Sequence, residues 1–135
     1  MSKLLQRLRD AKRFGVYRTG DARAIVQVTA GSGLDVVAVD AGKQPLQEIA
    51  QALAFPEWFG GNWDALEDSL GDLSWREGEG HVLVFRGYPA GEERRLLIEI
   101  LRSSAEYWAG RKKPFFAVFV DPARKLALPD LYRES

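Results

Sequence analysis

The chain has 135 residues, 46% hydrophobic and 28% charged, and its 19 basic and 19 acidic side chains cancel. That length supports one domain with a sizeable core, and the composition is that of a globular protein. There is no cysteine and only one histidine, His81, which excludes disulfides, Cys-metal sites and a His-based metal cluster; no apolar run approaches membrane-spanning length.

Taken in chain order, Leu4, Leu5, Leu8 and Ala11 recur at helical spacing and predict a short amphipathic helix over Lys3–Phe14, ending near Gly15. Charge breaks up the first residues before a signal-peptide core can form, so a cytoplasmic location is expected. The β-rich runs Ala24–Thr29 and Asp35–Asp40 flank Gly31-Ser32-Gly33 and suggest a hairpin, the second run reading as a buried strand. Leu46, Ile49, Ala50 and Leu53 mark a helix from Gln44 to Leu53. His81–Phe85 reads as a second buried strand. Gly91–Trp108 reads as a long helix with Leu97, Ile100, Leu101, Ser104 and Trp108 inward, and Arg111-Lys112-Lys113 suits its negative end. Phe115–Val120 is a third strand, closed by Pro122. Strands separated by helices imply right-handed crossovers and a parallel sheet.

Between these elements lies the most informative segment, Phe55 to Leu70. Pro56 keeps Phe55 out of helical geometry and stops the preceding helix near Ala54. Gly60-Gly61 forms a hinge, and Asn62 stands where an N-cap belongs. From Trp63 onward, Trp63, Leu66, Leu70 and Leu73 form an apolar stripe. Asp64, Asp68 and Asp72 recur every four residues on another face, flanked by Glu67, and no Lys or Arg occurs between Gln44 and Trp75. Like charges at this spacing destabilise an isolated helix by roughly 0.2–0.5 kcal/mol per pair. The charge is also concentrated along the chain. Residues 44–80 hold one base against eight acids, or −7, whereas residues 1–23 hold seven against two, or +5. A focused negative patch steers a basic protein and repels nucleic acid. The bland alternative is a solvated helix face; the missing bases and the aromatic loop beside it weigh against that.

The spacing Pro-x-aromatic-aromatic-Gly-x-Asn-x-Asp-Ala-Leu-x-Asp, present as Pro56 through Asp68, closely resembles the signature of the barstar family, intracellular inhibitors of small ribonucleases. The resemblance runs from Leu34 to Val120. It implies an α/β fold: a small three-stranded parallel sheet flanked by helices, here with an added N-terminal helix and an optional extra edge strand. It divides the chain into an N-terminal extension (1–33) packed on the core, a barstar-like domain (34–120) and a C-terminal tail (121–135). By position, Asp68 matches the aspartate that occupies the ribonuclease phosphate site, Asp64 its partner one turn earlier, Trp58 a contacting tyrosine, and Asn62 the asparagine opening the helix. The expected partner surface is therefore Trp58, Phe59, Gly60, Gly61, Asn62, Asp64, Glu67 and Asp68. Its expected occupant is a basic secreted ribonuclease or a related basic toxin, with no nucleic acid or membrane as ligand. The chain departs from the family at Glu67, which replaces a contacting tryptophan, and at Ser69, which replaces a cysteine. A family glutamate aligns with Ser103, where Glu106 one turn on is a candidate substitute.

The resemblance implies no catalytic residue, metal or cofactor. Two other readings use the same residues. One is a regulatory module of this fold for a non-nuclease partner. The other is a hydrolase using Asp64, Glu67 and Asp68, disfavoured because one convex helix face encloses a substrate poorly.

Overall fold

The computed structural model describes residues 2–57 and 59–132. Its elements are α1 (Lys3–Arg9), a 3-10 turn (Ala11–Arg13), β1 (Gly15–Thr19), α2 (Arg23–Thr29), β2 (Leu34–Asp40), α3 (Pro45–Ala52), α4 (Trp63–Leu70), β3 (Gly80–Gly87), α5 (Gly91–Gly110) and β4 (Phe115–Val120). The strands form one parallel sheet in the order β1-β4-β3-β2. The three expected core strands other than 24–29 are present, and the extra edge strand is β1.

Two layers follow from that order. The β1-to-β2 connection crosses the whole sheet in one direction, while β2-to-β3 and β3-to-β4 step back one place at a time. Right-handed crossovers then put α2 on one face and α3, α4 and α5 on the other. Strand alternation serves both faces. Val82, Val84, Phe116 and Val118 pack with Leu4, Leu8 and Ile25 on the α1–α2 side. Leu83, Phe85, Phe115, Ala117 and Phe119 pack with Ile49, Leu66, Leu70, Leu97 and Leu101 on the other.

Three local expectations are corrected. Residues 24–29 are helix, not strand. Ala22, Ile25 and Thr29 are buried, a helical spacing, and the Asp21 carboxylate accepts the Arg23 N–H at 2.9 Å at the helix start. Period here overrides the β propensity of Ile25, Val26 and Val28, and Gly31 (φ +73°) ends a helix in place of turning a hairpin. The N-terminal helix stops at Arg9 because Asp10 opens a new turn, accepting the Lys12 N–H at 3.0 Å. β2 lies at the sheet edge, with Ala38 exposed and Val36 and Val37 half-buried, so it is less enclosed than its composition suggests.

At the amino ends of β2 and β3, Asp35 binds two partners. Arg76 donates to it through Nε (2.6 Å) and Nη2 (2.9 Å), and His81 Nδ1 lies 2.9 Å from Oδ2. Burial lowers the affinity of His81 for a proton below that of an ordinary histidine, and the adjacent Asp35 only partly offsets this. For Asp35, burial acts to raise the pKa, but hydrogen bonds from Arg76 and His81 outweigh it and hold the carboxyl low. Both shifts mean that the unfolded chain binds more protons at acid pH, so stability rises with pH. The His81 contribution is lost as pH falls below the ordinary histidine value of about 6.5, and the Asp35 contribution as it falls below the ordinary aspartate value of about 3.8. His81 is the only histidine. Urea unfolding across pH 5–6.5 is therefore expected to show a downward slope toward acid, which His81→Gln flattens.

Candidate functional site

The site is built from the end of α3, the loop after it and α4. Helix α3 closes with a two-bond cap: the Phe55 N–H donates to Ala50 O (2.9 Å) and the Ala54 N–H to Gln51 O (3.2 Å). This cap needs a left-handed residue, and Ala54 supplies it at φ +54°, where glycine is the unstrained choice. The Leu53 carbonyl accepts from Trp75 Nε1 (2.9 Å) and Arg76 Nη1 (3.1 Å). Phe55 is packed edge-on against Phe59 (4.9 Å) and Trp75 (5.6 Å). The base of the loop is thus pinned to the segment that follows α4, and through Arg76 to Asp35 of the sheet.

Helix α4 begins as expected. Asn62 is extended, and its Oδ1 accepts the Ala65 N–H at 2.7 Å. The hinge resides in Gly61 alone, at φ +72°. Gly60 has ordinary angles, and a methyl group there would meet Ala65 at a normal 3.6 Å. Leu66, Ser69 and Leu70 are buried, and the indole N–H of Trp108 donates to Leu70 O at 2.8 Å, fastening the end of α4 to α5. The helix stops at Leu70, so Asp72 and Leu73 lie past its end; Leu73 is still buried, in a left-handed conformation (φ +51°).

This anchoring leaves Asn62, Asp64, Glu67 and Asp68 exposed. Among the described residues none of the three carboxylates forms an ion pair. Gly60 and Gly61 are exposed next to them, whereas Phe59 and Trp63 are half-buried and lean on the core. Trp58 lies outside the described residues. Beside the carboxylates, α4 and α5 enclose a shallow cleft of about 350 Å³ lined by Glu67, Asp68, Ser103 and Tyr107. Ser103 therefore borders Asp68 across the cleft, while Glu106 is exposed on α5 and does not line it. Among the described residues no group of three or more His, Asp or Glu side chains is placed to hold a metal ion. Sequence reasoning missed the tether made by Trp75, Arg76 and Asp35; the lone base at 76 in an acidic stretch was its one visible sign.

The loop, its cap and the acidic helix fall inside residues 33–120, which match the family model described as Barstar (barnase inhibitor). The chain belongs to the barstar family. No curated protein and no solved structure matches it. The barstar match covers more than half of the chain and begins and ends within a residue of the expected limits. The family is one of inhibitors, which is a protein-binding role and not a catalytic one.

Because Ala54 is held in the left-handed region, Ala54→Gly is expected to stabilise the protein by about 0.5–1 kcal/mol. Asn62→Ala is expected to destabilise it by about 0.5–2 kcal/mol. Urea titration of each variant against the parent checks both signs.

Proposed function

We propose that this protein is a stoichiometric inhibitor of a small basic ribonuclease, acting by occlusion. Residues 34–120 form the inhibitory domain in this reading, and residues 1–33 and 121–135 are additions to it. Asp68 enters the phosphate-binding part of the nuclease cleft, Asp64 and Glu67 pair with neighbouring cations, and Gly60, Gly61 and Asn62 let backbone approach closely. Trp58 and Phe59 contribute the aromatic rim, Phe59 with only the part of its ring that Phe55 leaves open. The observation that carries the reading is the set of three exposed carboxylates on a helix fixed at both ends, with no base among the described residues paired to them. The desolvation of a fixed anion row is repaid only by a cationic groove, and RNA phosphates would be repelled.

No step of chemistry is required of the inhibitor. It replaces substrate phosphates with carboxylates held in advance, so little ordering entropy is lost on binding. Exchanging the family tryptophan for Glu67, and the family glutamate for Ser103, moves negative charge from α5 to α4. That supports a partner related to barnase but with its cations arranged differently. The location proposed with this function is the cytoplasm, where RNA needs protection. Among the described residues no helix is long and apolar enough to cross a membrane.

The test is titration against a panel of small basic ribonucleases, reading RNA cleavage and association rate. Inhibition at one-to-one stoichiometry is expected, with association slowing as salt shortens the screening length from about 10 Å at 0.1 M to about 3 Å at 1 M. Asp68→Ala is expected to weaken binding by about 2–5 kcal/mol, a range for which the barnase–barstar complex is itself a reference case. A nuclease inhibited equally well by the Asp64→Ala/Asp68→Ala protein would refute the assignment. A captured basic protein without nuclease activity would favour the regulatory module.

A further inference from the structure

A second polar site lies at the carboxyl ends of β1 and β4 and shares no residue with the acidic helix. After β4 the chain turns at Asp121, and residues 129–131 then lie parallel to β1 on its outer side. The Arg18 N–H donates to Pro129 O (2.8 Å) and the Leu131 N–H to Arg18 O (2.9 Å). The Leu131 side chain is fully buried with Leu4 and Leu8, and the Arg7 guanidinium donates to its carbonyl. Between this returning segment and the strand ends is a pocket of about 560 Å³, lined by Arg18, Thr19, Arg124, Asp130 and Tyr132 among others.

Two guanidinium groups converge in it on one carboxylate. Arg18 Nη1 donates to Asp130 Oδ1, and Arg124 Nη2 stands 3.5 Å from Asp130 Oδ2. Arg18 is only 4% exposed. Its Nη2 donates to the backbone oxygen of Asp121 (2.8 Å), and among the described residues its Nε has no hydrogen-bond partner. The Asp121 carboxylate lies 3.7 Å from that Nε. It is already engaged, accepting from the Lys125 N–H (3.1 Å), the Leu126 N–H (2.8 Å) and the Tyr88 hydroxyl (3.2 Å). Arg18 is thus matched in charge by Asp121 as well, while Asp130 is the one carboxylate among the described residues that hydrogen-bonds its guanidinium. When Asp130 leaves, Nη1 joins Nε as a buried donor short of a partner, which is unfavourable, and an incoming oxyanion restores the contact. Arginine forks favour planar or tetrahedral oxyanions, and the carboxyl ends of parallel strands are where open α/β sheets hold ligands.

We infer that the Arg18–Arg124 pocket is an oxyanion site that the chain keeps shut with its own Asp130 carboxylate. A small phosphate or carboxylate ligand enters by displacing Asp130, and in doing so lifts residues 129–132 off the edge of β1. The site is independent of the inhibitory surface, and its failure would leave that reading intact.

The test uses the full chain. Exchange of the Leu131 amide is followed by NMR in inorganic phosphate, acetate and chloride at equal ionic strength. Phosphate or acetate is expected to speed it by roughly tenfold or more relative to chloride, and the stronger of the two names the ligand chemistry. Asp130→Ala removes the internal competitor and is expected to bind phosphate at least about tenfold more tightly by calorimetry. Arg124→Gln, at an exposed position, is expected to abolish the gain when added to it. Equal exchange in all three salts would overturn the inference, as would Asp130→Ala titrating like the parent. If Asp130→Ala does not fold, the exchange experiment on the parent protein decides.

Discussion

Arg76 is the joint on which the proposed binding surface depends. Its guanidinium holds Asp35 of β2 with two hydrogen bonds and Leu53 O at the end of α3 with a third. One side chain thus ties the sheet to the base of the aromatic loop, with Trp75 reinforcing the same carbonyl. Charge-assisted, forked hydrogen bonds are among the strongest that a partly buried side chain makes. With the loop base fixed, the Gly61 hinge and the Asn62 cap set where α4 starts, and Trp108 fixes where it ends. The acidic row is rigid because its supports are, not because the helix is intrinsically stable. Eight residues with like charges one turn apart would not hold a helix in isolation.

The arrangement separates two demands that conflict. A surface of the kind proposed here, meeting cations, wants uncompensated anions, and such anions weaken the element that carries them. Here the cost falls on the exposed face, while Leu66 and Leu70, both fully buried, supply the packing that offsets it. Among the described residues, Arg76 pairs with Asp35, Arg9 with Glu79, and Arg95 with Glu92 and Glu99, and none pairs with the row.

How far the chain was legible follows from where its information is local. β3 and β4 are continuous apolar runs, and α5 carries a clean inner stripe, so each is readable without a partner. The cap, hinge and acidic face of α4 are encoded within a dozen residues and were readable for the same reason. α2 reads as a strand because Ile25, Val26 and Val28 favour strands one by one, while only the burial of Ala22, Ile25 and Thr29 reveals the helical period. β1 was not located because a strand of Gly15-Val16-Tyr17-Arg18-Thr19 hides polar residues that are buried through the tail. The bond between Asp35 and Arg76 spans 41 positions in sequence, and no local pattern announces it.

The sheet order has a consequence for how the molecule is made. β1 pairs within the sheet with β4 alone, and its residues 15–19 lie alongside residues 116–120. Strand β1 therefore waits until residues 116–120 are made before it finds its neighbour in the sheet, whereas β2, β3 and β4 can pair in chain order as they emerge. Such a long closure slows the final step of folding. The acidic helix and the hydrogen bonds that support it lie between β2 and β4 in the chain, so none of those bonds needs the outermost strand.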